Sequence, residues 1–189
     1  MPGLKLSAIL IAIGSILFLV TAFLPISKVY ALPTPEMKLA IINKSRQAWQ
    51  ISQNLFFFGA LLMTLGVVVF ALSNKDKSSA IVLYFAAGLL VIGLASWSWH
   101  LYLRAIDPVA FVEGVLPAWH FQLYTIFTLA ALFLIGIAFF GLEFPTWGSW
   151  AIMIAATLFF VLFILFKDLP PFALYLLGLF ISFLLFRAG

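Results

Sequence analysis

QAWQISQNLFFFGALLMTLGVVVFALSN, from Gln47 to Asn74, contains no charged side chain. A helix needs about 20 apolar residues to cross the hydrocarbon core of a bilayer, and this stretch exceeds that length. Arg46 precedes it and Lys75 follows it. Five further uncharged stretches divide the rest of the chain, at 6–27, 78–103, 114–142, 144–166 and 169–186. Each is long enough to span, the last being the shortest. The reading is an all-α integral membrane protein, a six-transmembrane-helix bundle forming one domain over 1–189. Its spans are predicted near 6–26, 47–73, 79–104, 117–142, 146–166 and 170–187.

Composition agrees. Of the 189 residues, 66% are hydrophobic and 8% are charged, and the mean hydropathy is +1.23. A soluble domain carries about 25% charged residues because its surface faces water, so this chain is expected to meet lipid. The 22 phenylalanines suit such an exterior. The absence of cysteine removes disulfides, thiolate catalysis and cysteine-ligated metal centres. The net charge of +4 comes from lysines and arginines near span ends, with no basic run suited to nucleic acid. The first span, although preceded by Lys5, is longer than a signal core and lacks a small-residue cleavage site at its exit, so it reads as retained.

Most connections are short, and proline marks several of them (Pro145, Pro170, Pro171). Two are longer. Thr34–Pro35–Glu36 has the form of a helix start: a capping threonine, a first-turn proline and a carboxylate at the positive end of the helix dipole. With no breaker before Gly59, a single long second helix is expected, about 57 Å over 35–72 at about 1.5 Å per residue. It would project beyond the bilayer or lie at the interface behind a kink. Asp107–Pro108 likewise predicts a short interfacial helix between spans three and four, ending at Gly114.

Polar residues gather at one membrane face. On the second helix Asn43, Arg46, Gln47, Gln50, Gln53 and Asn54 fall within an arc of about 120° at 100° per residue. Unpaired amides in hydrocarbon are costly. The stripe is therefore either one wall of a polar cavity or the wet face of a helix lying above the lipid. Span three ends with Trp97, His100 and Arg104 at helical spacing, with Ser96 on the same face, and Glu113 follows in the next connection. Span four begins with His120, and Tyr124 lies one turn below. Ionisable groups inside a span usually face the interior and mark function, although shallow positions permit snorkelling. The candidate ligand-binding set is Asn43, Arg46, Gln47, Gln50, Asn54, Trp97, His100, Arg104, Glu113, His120 and Tyr124.

Several chemistries are excluded. No lysine lies within a span, which removes a retinal Schiff base, and all six carboxylates sit at or outside span ends, which removes a mid-membrane relay. Glu-x-x-His, His-Glu-x-x-His and Gly-x-Ser-x-Gly are missing. Two histidines with Glu113 or Asp107 would make only a minimal metal site.

The preferred reading is a non-catalytic protein: an accessory subunit of a larger membrane complex, or a binder of a lipid or quinone-like amphiphile at the polar, aromatic-rich cluster. Membrane lipid and other membrane subunits are the expected partners. Alternatives are a lipid- or isoprenoid-acting enzyme using His100 and His120, and a b-type cytochrome with both as axial ligands. Haem b is not the expected cofactor, because consecutive helices pack at about 8–10 Å, too close for a porphyrin. The histidines are expected to bond polar side chains, carbonyls or a headgroup instead. The expected location is a prokaryotic cell membrane. Lysines and arginines are denser around the terminal side (Lys5, Lys75, Lys77, Arg187), which predicts cytoplasmic termini.

Overall fold

A computed structural model describes residues 2–142, 144–167 and 169–188. The chain is 85% helical, and there is no strand among the described residues. The helices are α1 (Pro2–Ala22), α2 (Pro35–Lys44), α3 (Arg46–Ser73), α4 (Ala80–Ile106), α5 (Pro108–Val112), α6 (Trp119–Phe140), α7 (Thr146–Phe166) and α8 (Phe172–Ala188), with a 3-10 helix over Pro25–Ala31.

Five helices, α1, α3, α4, α6 and α7, are long and apolar enough to cross a bilayer. The chain is thus an integral membrane protein. The apolar α8 has 17 residues, about 25 Å at about 1.5 Å per residue.

The helices form a bundle in which α1 packs on α3 and α8, α3 on α4, α4 on α6 and α6 on α7. Without a hydrophobic drive between helices in lipid, close backbone approach and interhelical hydrogen bonds hold such a bundle. Both occur here. A Cβ on Gly14 would lie 2.5 Å from the Met63 nitrogen and 2.6 Å from the Gly59 oxygen, so α1 and α3 cross in backbone contact. Gly66 is equally tight against α1, and Gly136 against α7, whereas Gly88 faces open space and packs against nothing. The Ser7 hydroxyl donates to the Gly66 carbonyl at 2.7 Å, and the Ser182 hydroxyl to the Ala8 carbonyl at 2.9 Å.

One expectation about the second helix is corrected. It is not continuous: Ser45, at φ −136° and ψ 47°, separates α2 from α3. The Ser45 N–H bonds back to the carbonyls of Ile41 and Ile42, while its own carbonyl accepts from Trp49 N. The break lets α2 pack on the 3-10 helix and α5. It thereby buries Ile42 in a small second core with Ile26, Val29, Trp49 and Val112. A straight helix would have carried Ile42 away from these partners.

The expected helix starts at Thr34 and Asp107 are present. The Thr34 hydroxyl accepts from Met37 N at 3.4 Å, and an Asp107 carboxylate oxygen accepts from Ala110 N at 3.0 Å. Gly114, at φ +72°, follows α5, a conformation that favours glycine. The 3-10 helix, α2, the start of α3 and α5 together cap one end of the bundle.

Candidate functional site

Between this cap and the bundle lies a cavity of about 680 Å³. The cap contributes Ser27, Tyr30, Ala31, Lys38 and Phe111, and the bundle contributes Phe18, Ala22, Phe56, Trp97, His100, Arg104 and Phe121. Pro170, Pro171 and Phe172, at and before the start of α8, complete the wall.

Arg104 dominates its chemistry. It sits in the last turn of α4, where a cation suits the negative end of the helix dipole, yet the residue is only 5% exposed. Its guanidinium carbon lies 4.7 Å from the Phe111 ring centre, 4.8 Å from Tyr30, 5.5 Å from Trp49 and 6.0 Å from Trp97. The guanidinium donates to the Tyr30 hydroxyl, while its Nε has no partner among the described residues. Burying an uncompensated ion costs several kcal/mol. Ring faces supply about 0.5–2 kcal/mol each, depending on desolvation, and the contributions of neighbours do not simply add. The aromatic cage offsets part of the penalty and leaves in-plane N–H donors to be met by something else.

Local sequence explains how the cage closes. The Asp107 cap and Pro108 start α5 directly after α4, which brings Phe111 over the Arg104 side chain, seven residues earlier in the sequence. Trp49, fully buried, donates its Nε1 to the Arg104 carbonyl at 3.0 Å. The Tyr30 hydroxyl, carried by the 3-10 helix, also receives the Gln53 amide at 3.4 Å.

Below the cage runs a column of rings. His100 stacks on Trp97 with centres 5.7 Å apart, and Trp97 stacks on Tyr124 at 4.7 Å. The Tyr124 and Tyr175 hydroxyls are 2.6 Å apart, and Tyr175 stacks on Phe18 at 3.7 Å. The column ties α4, α6, α8 and α1 together beneath the cavity.

The candidates from the sequence divide sharply. Trp97, His100 and Arg104 line the cavity, and Tyr124 lies directly under Trp97. His120 is buried but is not among the described lining residues. Its ring packs 3.5 Å from that of Trp119 and 6.5 Å from that of Trp99, and its carbonyl accepts from the Ser96 hydroxyl at 2.9 Å. The His100 Nδ1 is buried with no hydrogen-bond partner among the described residues. Glu113 is exposed, beyond the end of α5.

The polar stripe of the second helix also turns the other way. Asn43, Arg46, Gln47, Gln50 and Asn54 are all exposed. The buried face of α3 carries Trp49, Ser52, Gln53 and Phe56 instead, positions spaced i, i+3, i+4, i+7. Trp49 and Phe56 are large apolar groups whose burial outweighs that of amides. Gln53, at the edge between the two faces, is the one stripe member drawn inside. Tyr30, Lys38 and Phe111 were not singled out by the sequence. They lie in elements too short for periodicity to reveal a facing direction.

Among the described residues no group of three histidines, cysteines or carboxylates is placed to hold a metal ion, so the minimal site of two histidines with Glu113 or Asp107 does not assemble there. Comparison with protein-family models, curated proteins and solved structures finds no match for this chain.

Proposed function

We propose that this chain is a six-span, non-catalytic membrane protein that binds an amphiphile in the cavity between cap and bundle. The observation that carries the reading is the cavity's composition: cationic groups from Arg104 and Lys38, beside the imidazole of His100, against apolar walls from Phe18, Phe56 and Phe121. Sites for drug-sized ligands occupy about 300–1,000 Å³ and are mostly apolar with a few placed polar groups, and about 680 Å³ fits that class.

The alternatives receive less support. An enzyme using both histidines, or a haem ligated by both, needs His100 and His120 at one ligand, yet of the two only His100 lines the cavity. A role within a larger membrane complex is compatible with amphiphile binding, and the exposed apolar face of α7 suits lipid and protein equally. For the sixth span, α8 buries residues along its whole length, from Ala173 to Leu185, mainly against α1. That packing supports a membrane-crossing helix despite its shortness, and a sixth crossing would bring both termini to one side.

The test is native mass spectrometry of the protein extracted in mild detergent, beside Ala22→Phe, which fills the cavity from the α1 wall. One retained amphiphile per wild-type chain, absent from Ala22→Phe, is the expected result. Equal retention by the two proteins would exclude this cavity as the binding site.

A further inference from the structure

The cavity draws together positive charge without matching negative charge. Arg104 reaches it from the end of α4, and half-buried Lys38 reaches it from α2. No carboxylate is found among its described lining residues. The ring faces of Tyr30, Trp49, Trp97 and Phe111 meet the guanidinium from around its carbon. Face contacts attract the cation but accept none of its hydrogen bonds well. Those donors lie in the guanidinium plane, and the described partners meet them incompletely: the Tyr30 hydroxyl accepts from one terminal nitrogen, and Nε is unpartnered.

We infer that the amphiphile carries an oxyanion head, a phosphate or a carboxylate, seated between the Arg104 guanidinium and the Lys38 ammonium. This rests on the amphiphile reading above and narrows it. The fork of N–H donors on arginine matches the paired oxygens of such a head, and lysine adds a second charge of the same sign. The apolar chains then follow Phe18, Phe56 and Phe121. A neutral quinone head accepts hydrogen bonds but neutralises neither cation, so the buried Arg104 charge stays uncompensated.

The experiment is a native mass-spectrometric titration of the full chain in detergent with four probes. Two are oxyanion amphiphiles, dioleoyl phosphatidic acid and oleic acid. Dioleoylglycerol has the same chains as the first without its charge, and inorganic phosphate has the charge without chains. Phosphatidic acid or oleic acid is expected to bind at least about tenfold more tightly than dioleoylglycerol, a difference of about 1.4 kcal/mol. Arg104→Gln and Lys38→Gln are each expected to remove most of that preference. Arg104 is packed among four rings, so its variant is subject to misfolding. Lys38 is half-buried on a cap helix, and its variant therefore serves as the decisive one.

Asp168→Asn, two residues before Pro170, is the charge control. Its binding of phosphatidic acid should stay unchanged or tighten, and loss of binding there would overturn the oxyanion assignment. Equal affinity for phosphatidic acid and dioleoylglycerol, with Ala22→Phe still blocking both, would sink the oxyanion head and leave the amphiphile reading standing. Displacement of phosphatidic acid by inorganic phosphate at equal concentration would instead assign the cations to a free anion and remove the amphiphile.

Discussion

The indole Nε1 of Trp49 donates to the backbone carbonyl of Arg104 at 3.0 Å, across 55 positions of sequence. It joins the first turn of α3 to the last turn of α4, and so fixes the cap end of the bundle around the caged guanidinium. Trp49→Phe keeps much of the ring contact with Phe111, now at 5.3 Å, but leaves the carbonyl unpaired. A loss of about 1–3 kcal/mol is expected, and Trp49→Ala should lose about 3–5 kcal/mol. Reversible unfolding in mixed micelles would measure both. A phenylalanine variant within about 0.5 kcal/mol of wild type would show that the indole hydrogen bond contributes nothing.

The Tyr124 and Tyr175 hydroxyls satisfy one another at 2.6 Å inside the bundle. Removing one strands the other, so Tyr124→Phe and Tyr175→Phe should each cost about 1–3 kcal/mol. The double variant strands nothing, and its cost should fall well below the sum. Additive losses in that double-mutant cycle would mean the two hydroxyls do not interact.

Two glycines make opposite demands. At Gly14 even a methyl group meets backbone at 2.5 Å, on the Met63 nitrogen, whereas at Gly88 nothing lies within 4 Å. Gly14→Ala should separate α1 from α3 and destabilise by about 1–3 kcal/mol. Gly88→Ala should stay within about 0.5 kcal/mol of wild type. The pair is read by the same unfolding measurement, and a tolerated Gly14→Ala would argue against the close crossing.

The proposed six-span reading, with lysine and arginine denser on the terminal side, predicts that both termini are cytoplasmic. Alkaline phosphatase, active only outside the cytoplasm, should be inactive when fused after Arg187 and active when fused in the α2–α3 connection at Ser45. Activity at the carboxyl end would reverse the orientation. Activity at neither or both positions would break the six-span topology.

How much of this was legible beforehand follows from the range of each interaction. The bundle helices announced themselves because uncharged runs such as Gln47 to Asn74 have one low-cost solution in lipid, a helix that satisfies its own backbone. Thr34–Pro35 and Asp107–Pro108 were legible for the same kind of reason, since capping needs only neighbours within one turn. The break at Ser45 was not, because it is driven by Ile42 meeting Ile26, Val29 and Val112, which are distant in sequence.

Local chemistry thus determined the helical class, the bundle segments and the presence of Trp97, His100 and Arg104 at one end of a span. Tertiary structure decided which polar groups share a cavity. It turned Gln50 and Asn54 outward because Trp49 and Phe56 gain more from burial on the same helix. It also brought Tyr30, Lys38 and Phe111 to the cavity that Arg104 lines, through elements of five to ten residues. Segments so short carry no readable face of their own, and their side chains take direction only from the surfaces against which they pack.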